Sequence, residues 1–207
     1  MNFFERVSGE LSTNYETGVD HNSSMRGISN MSLVIAFGTV EGQTDKIARF
    51  IENIVKETDE DVQVIDTAHQ TSTVNFEGVD TVILVASVHE RRHPARFEAF
   101  VTSEQKALAL RRTLMISVSM SAAFPEGHED AQSYLDEFKL RTDLDPDAEM
   151  LVAGAIRSRE YDYYATQVLK HVVLRGRSFD PAVQEHEFTD WEGLGDGVSA
   201  FLEGKSI

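Results

Sequence analysis

The sequence predicts an α/β fold in which a doubly wound, five-stranded parallel sheet carries helices on both faces. Apolar runs alternate with helical patterns from residue 33 onward. The runs at 33–37 and 81–86 are continuously apolar, as in parallel strands that are buried on both faces. With 207 residues, of which 41% are hydrophobic, the chain is long enough for one domain of this kind.

Each element follows from its own pattern of apolar residues. Strands are expected at 33–37, 62–66, 81–86, 113–120 and 150–156. Apolar residues at helical spacing predict helices after the first, third and fourth strands, another over 161–173, and a closing helix after residue 189. Thr189 and Glu192 have the spacing of a capping box at the start of that closing helix.

The first 30 residues differ from the rest of the chain. They are polar, rich in Ser, Asn and Gly, and show no apolar periodicity. They also lack the basic start and apolar run of a signal peptide. The interpretation is a flexible N-terminal tail over residues 1–30, followed by one folded domain over residues 31–207.

Composition and charge argue against several classes of function. The chain has no cysteine, which excludes disulfides, thiolate metal sites and cysteine nucleophiles. No stretch reaches the ~18–20 apolar residues of a membrane span. A count of 19 basic against 35 acidic residues gives a net charge of −16, which repels nucleic acid, so no nucleic-acid partner is expected. These features suit a cytoplasmic protein.

Ligands of doubly wound sheets bind beyond the carboxyl ends of the strands, which directs attention to the loops after residues 37, 86 and 120. In the first loop, "FGTVEGQT", the residues Thr39, Gly42, Gln43 and Thr44 lie where a helix begins. Free backbone N–H groups and the helix dipole make such a position an anion site. The loop lacks the Lys-Ser/Thr pair of nucleoside-triphosphate loops and is not GxGxxG. An ordinary strand–helix turn is the alternative.

The second loop contains a literal HExxH, from His89 to His93. Zinc proteases need that motif within a helix, whereas here it follows a strand and precedes Pro94. The competing hypothesis is a loop in which Ser87 and backbone groups line a flat ligand. Arg91 and Arg92 would then lie near the ligand's rim, or form an ordinary solvated pair. His89 and His93 are the candidates for proton transfer near neutral pH, and no catalytic residue is assigned.

The third loop, "SVSMSAAFPEG", offers Ser119, Ser121 and backbone N–H groups without a catalytic base nearby. It has no Gly-x-Ser-x-Gly, so a serine nucleophile is unsupported. Small residues are suited to a loop folded over a ring system, and equally to an ordinary loop.

Four segments together resemble one branch of the flavodoxin superfamily, the flavodoxin-type, menaquinone-dependent protoporphyrinogen oxidases (dehydrogenases). "GTVEGQT" is similar to that branch's T-x-D-G-Q-T, and "VASVHERRHPARFEAF" to its third-strand segment. "AGAIRSREYDYY" resembles its A-G-A-L-R-Y, and "FTDW" matches its closing T-D-W. The resemblance covers roughly residues 32–204, in the family's order, and implies a flavodoxin-like fold.

The resemblance also implies an FMN cofactor, a two-electron oxidation of a porphyrinogen-like substrate, and a quinone as electron acceptor. By position, the implied cofactor-binding residues are Thr39, Val40, Glu41, Gly42, Gln43, Thr44, Ser87, Val88, His89, Glu90, Arg91, Ser119, Met120, Ser121 and Ala122; no metal ligand is implied. Two alternatives stay open: a soluble electron carrier that docks on a basic redox protein, and a flavin-free binding module on the same fold.

One segment, residues 157–177, carries a local surplus of positive charge in this acidic chain. It contains Arg157, Arg159, Lys170, Arg175 and Arg177. Such a segment could attract carboxylates or make a peripheral contact with the inner face of a membrane. A helix that packs its apolar stripe on the sheet is the alternative.

Overall fold

The computed structural model of the chain describes residues 32–58, 60–69, 74–157 and 185–207. Five of its strands form one parallel sheet in the order β2-β1-β3-β4-β5, which is the order of flavodoxin-like sheets. The strands are β1 (Ser32–Gly38), β2 (Asp61–Asp66), β3 (Val79–Ser87), β4 (Arg112–Ser119) and β5 (Ala148–Ala153). The predicted five-stranded parallel sheet is therefore confirmed.

Helices cover both faces of this sheet, as predicted. The described helices are α1 (Gln43–Lys56), α2 (Ala95–Leu108), α3 (His128–Thr142) and α4 (Trp191–Leu202), with two short 3₁₀ turns at Ser121–Ala123 and Pro125–Gly127. Successive strand residues alternate between the faces: Val34 and Ala36 pack with α2 and α3, whereas Leu33 and Ile35 pack with α1 and α4. The central strands β3 and β4 are almost wholly buried, which explains their continuously apolar runs.

The predicted fifth strand, 150–156, is in fact divided between two sheets. Residues 148–153 pair with β4, whereas β6 (Ala155–Arg157) pairs antiparallel with β7 (Glu185–Glu187) in a separate small sheet. The prediction was wrong at Gly154, which lies between the two strands. The partner strand β7 is distant in sequence, so no local pattern could show the division.

The predicted capping box of the last helix is also wrong. The N-cap of α4 is Asp190, whose carboxylate accepts a hydrogen bond from the Gly193 N–H at 3.0 Å. The Thr189 hydroxyl instead donates to the Ala153 carbonyl oxygen at 2.8 Å, at the end of β5. Thr189 therefore makes a tertiary hydrogen bond and is not the N-cap that its spacing suggested.

Several predictions concern residues that the structure does not describe. The tail over 1–30, the helix over 161–173 and nearly all of the basic segment 157–177 lie outside the described residues. Among the residues that are described, no helix has the length and apolar character needed to cross a membrane.

The core beneath the sheet's carboxyl edge contains a buried histidine. His93 is 3% exposed, its Nε2 lies 3.0 Å from Ser117 Oγ, and its ring centroid is 4.6 Å from that of Phe138. Burial lowers its pKa from 6.5 to about 4; Glu98 opposes this shift and Arg141 adds to it. His93 is therefore a neutral core residue at neutral pH.

Burial of neutral His93 predicts a loss of stability in mild acid. Because the pKa is lower in the folded state, the unfolded chain binds the extra proton between pH 6.5 and 4, and stability falls as pH falls through that window. Between pH 7 and pH 5 we expect a loss of about 2 kcal/mol in the free energy of unfolding. Urea unfolding at both pH values should show this loss in the wild type and not in His93→Gln.

The matched control is His69→Gln, because the His69 side chain is 86% exposed. This variant should keep the wild-type pH dependence. An NMR titration gives a second readout: the His93 ring signals should stay unchanged between pH 7 and pH 5. A His93 ring that titrates within that range would contradict the assignment.

Candidate functional site

A cleft opens at the carboxyl edge of the sheet, where the chain leaves β1, β3, β4 and β5. It is open to solvent, and the space between its walls and the adjoining solvent together amount to about 450 Å³. Its lining residues are Thr39, Val40, Glu41, Gln43, Ser87, Val88, His89, Val118, Ser119, Met120, Gly154 and Ala155. This is the edge at which doubly wound sheets bind their ligands.

The first wall of the cleft is the loop between β1 and α1. Gly42 has φ 84°, a left-handed conformation that favours glycine, and it forms the N-cap of α1. The Gly42 N–H donates to Thr39 Oγ1 at 2.8 Å, which folds the loop back on itself. The intrahelical hydrogen bonds begin with the Lys46 N–H on the Gly42 carbonyl, so the N–H groups of residues 43–45 have no intrahelical acceptor. The loop therefore has the geometry of an anion site.

Three buried polar atoms in or directly behind the cleft wall have no hydrogen-bond partner among the described residues. They are Gln43 Oε1, Thr44 Oγ1 and Ser87 Oγ. An unpaired buried polar group costs about 1–3 kcal/mol, so a fold rarely keeps several in one place without use for them. Their chemistry, two hydroxyl groups and one amide carbonyl beside free N–H groups, fits a ligand that carries an anionic group and further polar groups.

The second wall is a tight turn after β3. The His89 N–H donates to the Arg92 carbonyl at 2.9 Å, and the Arg92 N–H donates to the His89 carbonyl at 3.0 Å. The central residues Glu90 and Arg91 have φ of 48° and 67°, positive values typical of type I′ turns, which usually contain Asn or Gly. The backbone of this turn is therefore strained.

Contacts with α2 and α3 hold the strained turn in place. The Arg91 guanidinium lies 5.2 Å from the centroid of the Tyr134 ring on α3. Arg92 Nη2 lies 3.0 Å from Glu98 Oε2 on α2. Neither arginine lines the cleft, and each has a partner on one of these helices. A contact of either arginine with the rim of a ligand stays a prediction.

The HExxH sequence does not form a metal site here. Its residues lie in the turn and not in a helix, and the two histidines have different surroundings. His89 is half-exposed and lines the cleft, whereas His93 is buried against Phe138. Among the described residues, no group of three potential ligands could hold a metal ion. The zinc-protease alternative therefore fails on geometry.

His89 and Glu41 are the two ionisable side chains in the described lining of the cleft. His89 Nδ1 lies 4.0 Å from Glu41 Oε1, and its Nε2 lies 3.9 Å from Glu90 Oε1. Of the two histidines predicted as candidates for proton transfer, His89 alone faces the cleft.

The third wall is the loop after β4. Ser119 is 5% exposed, and its Oγ accepts a hydrogen bond from the Ala122 N–H at 3.2 Å. Met120 precedes the 3₁₀ turn Ser121–Ala123 and lines the cleft. Ser121 and Ala122 lie beside the cleft and do not line it.

Sequence reasoning missed Val118, which lies in the buried strand β4, and the two lining residues Gly154 and Ala155. The Gly154 N–H donates to the Ser119 carbonyl at 3.3 Å, and the Phe188 N–H donates to the Gly154 carbonyl at 3.1 Å. The "AGAI" segment was recognised as similar to a family motif, and that similarity was the signal that could have placed Gly154 and Ala155 in the site.

The structure brings most of the predicted site residues to one cleft. Nine of the predicted residues line it: Thr39, Val40, Glu41, Gln43, Ser87, Val88, His89, Ser119 and Met120. Gly42 and Thr44 lie in the helix start behind this lining, and Glu90 and Arg91 in the strained turn. The role of each residue in holding a cofactor stays a prediction.

Relatives of known sequence and structure agree with this architecture. Protoporphyrinogen IX dehydrogenase [quinone] of Escherichia coli strain K12 is 27% identical over 163 residues, which are 78% of this chain and 90% of that protein. The protein of the same name from Escherichia coli O157:H7 gives the same values. The crystal structure of oxidised flavodoxin 1 from Bacillus cereus is similar with a TM-score of 0.52 and 18% identity, over 84% of this chain and 99% of that one.

A comparison with protein families matches residues 34–178 to the family described as "Flavodoxin domain". The match begins in β1 and includes the three loops that form the walls of the cleft. It extends over more than half of the chain and agrees with the strand order of the sheet. The chain belongs to the flavodoxin domain family.

Proposed function

We propose that the chain binds FMN in this cleft and works as an FMN-dependent oxidoreductase that oxidises a porphyrinogen-like substrate and passes electrons to a quinone. The similarity to the E. coli protoporphyrinogen IX dehydrogenase [quinone], over 90% of that protein's length, supports the substrate and acceptor. The observation that carries the proposal is the anion-binding geometry of the loop over residues 39–44, which we call the cradle. It lies at the start of α1, beside unpaired buried hydroxyl groups.

The residues of the first loop suit the phosphate of FMN. Backbone N–H groups at a helix N-terminus bind a phosphate without a basic side chain. The Thr44 hydroxyl, 0% exposed and without a partner among the described residues, would add a donor to a bound phosphate. Thr39 Oγ1 already accepts a hydrogen bond from the Gly42 N–H, which fixes the shape of the loop.

The other walls suit a flat ring. Val88, Met120 and Ala155 give the lining apolar surface, and Ser87 adds a hydroxyl group. The Val88 N–H is held by the Val118 carbonyl at 2.7 Å, which fixes the wall's position. When bound, FMN would supply the two-electron chemistry, and the chain would orient the ring and restrict water around it.

His89 is the candidate for moving a proton in the cleft. Its ring lines the cleft, is half-exposed and lies between Glu41 and Glu90. Oxidation of a porphyrinogen-like substrate releases protons as well as electrons, and an imidazole at the mouth of the site can pass a proton to water.

A soluble electron carrier is the second candidate function, and the net charge of −16 favours it. Glu90, with its side chain 89% exposed beside the cleft, is part of that acidic surface. Such a surface steers a basic redox partner toward the site at low ionic strength. Substrate turnover separates the two functions: an oxidoreductase oxidises a porphyrinogen with a quinone alone, whereas a carrier needs a protein partner whose association weakens with salt.

Gly42→Val should abolish tight FMN binding. Valine at a left-handed position strains the backbone by about 1–3 kcal/mol and distorts the cradle, so we expect at least about a tenfold loss of affinity. Flavin fluorescence titration of purified protein measures the affinity, and absorption after desalting shows whether flavin is retained.

Gly78→Val is the matched control for this variant. Gly78 also has a positive φ, 74°, and a Cβ added there meets no atom within 4 Å. It immediately precedes β3, at the opposite edge of the sheet. This variant should lose stability and keep wild-type FMN affinity. If both variants bind FMN with equal affinity, the loop at the start of α1 is not part of the FMN site. A folded wild type that binds no FMN would refute the proposed function.

Thr44→Val should stabilise the ligand-free protein and weaken FMN binding. The change removes a buried hydroxyl group without a partner, so the free energy of unfolding should rise by about 1 kcal/mol. It also removes a donor to the phosphate, so affinity should fall by about tenfold. Urea unfolding and fluorescence titration measure the two effects.

Thr67→Val serves as the opposite case. Thr67 is 4% exposed, and its hydroxyl donates to the Phe37 carbonyl at 3.0 Å. Because this hydroxyl group is paired, its loss should destabilise the protein. If Thr44→Val binds FMN as the wild type does, Thr44 has no role in the cradle.

A further inference from the structure

The side chain of Gln43, the first residue of α1, is held from outside the cleft. Its Nε2 donates to Glu187 Oε1 at 2.7 Å and to Thr189 Oγ1 at 2.9 Å. Both partners are more than 140 residues away in sequence: Glu187 is the last residue of β7, and Thr189 lies just after that strand. Gln43 is 6% exposed and lines the cleft.

The hydrogen-bonding capacities of these two partners determine which way the Gln43 amide faces. A carboxylate such as Glu187 accepts hydrogen bonds and donates none. Thr189 has one hydroxyl hydrogen, which it donates to the Ala153 carbonyl at 2.8 Å, so it too can only accept from Gln43. With the amide reversed, its oxygen would lie against two acceptors. The NH₂ group must therefore face Glu187 and Thr189, and the carbonyl oxygen must face the other way.

The carbonyl oxygen of Gln43 is left as a buried acceptor without a partner among the described residues. It cannot serve an anion, because a phosphate oxygen and an amide oxygen repel each other. Gln43 can assist an anion only through its backbone N–H at the start of α1. The group that meets its side chain has to be a hydrogen-bond donor that lies beside the anion.

We propose that Glu187 is a positioning residue that fixes the amide of Gln43, so that the carbonyl oxygen accepts a hydrogen bond from a donor on the ligand, next to its anionic group. Gln43 is then a specificity-determining residue for ligands in which a hydroxyl-bearing chain adjoins a phosphate. This inference rests on the proposed function, because FMN has such a chain in its ribityl hydroxyls.

Glu187→Gln separates this role from simple electrostatics. The change removes a negative charge near an anion site and with it the carboxylate that lies 3.9 Å from Lys46 Nζ. Electrostatics alone therefore predicts tighter FMN binding. A glutamine, however, can donate as well as accept, so the amide of Gln43 loses its fixed orientation. The inference predicts a loss of FMN affinity of about threefold to tenfold, of the size of one neutral hydrogen bond.

Glu192→Gln provides a matched control, since Glu192 is an exposed carboxylate on α4. It should bind FMN as the wild type does. Thermal unfolding of both variants verifies that the fold is retained. A double-mutant cycle with Gln43→Met completes the test: Glu187→Gln should cause no further loss of affinity once the amide of Gln43 is gone. A structural role of Glu187 would instead give additive losses.

A measurement without FMN tests the orientation directly. NMR of the ligand-free protein should show slow hydrogen exchange for the Gln43 side-chain NH₂ in the wild type and fast exchange in Glu187→Gln. Unchanged or tighter FMN binding by Glu187→Gln, or a fast-exchanging wild-type NH₂, overturns the inference and leaves the proposed function standing. A folded wild type with a protected NH₂ and no FMN affinity instead refutes the proposed function, and with it the ligand assigned to Gln43.

Discussion

Burial of parallel strands on both faces is the constraint on which the rest of the structure depends. The central strands β3 and β4 have almost no exposed residue, so polar chemistry is confined to the places where strands end. Parallel strands end together, and the loops after β1, β3, β4 and β5 therefore meet at one edge. The cleft is the consequence: its walls come from segments that are far apart in sequence and share only their position after a strand.

The sequence was sufficient to predict the sheet and most of the three loops after residues 37, 86 and 120, because both follow from local patterns. Apolar runs gave the strands, and "FGTVEGQT" contained both the left-handed Gly42 and the helix start. What local patterns could not show were pairings over long distances. β7 divides the predicted fifth strand, and Glu187 reaches Gln43 across 144 residues. For Arg91 and Arg92 the sequence left both a ligand's rim and a solvated pair open, because nothing in their own segment indicated partners on α3 and α2.

Of the five buried side-chain polar atoms without a partner among the described residues, three lie in or directly behind the cleft wall. In the core, His93 has Ser117 beside Nε2 and Phe138 against its ring, its Nδ1 has no partner among the described residues, and burial keeps it neutral. Around the cleft, Thr44, Ser87 and Gln43 each keep an atom without a partner among the described residues. Such atoms reduce the stability of the chain alone and become useful only when a ligand meets them. The polar groups around the cleft thus lower the stability of the ligand-free protein and serve the recognition of a ligand.

The turn from His89 to Arg92 has a consequence for the order in which the protein folds. Its two positive φ values are unfavourable for Glu and Arg, and its shape is supported by contacts with α2 and α3. Those contacts exist only when α2 and α3 are packed on the sheet, so we expect the turn to become fixed late in folding. For the same reason it is among the first segments to open when the helices loosen. We therefore expect this wall of the cleft to form after the sheet, so that a chain with an intact sheet and loose helices would not yet have a complete binding site.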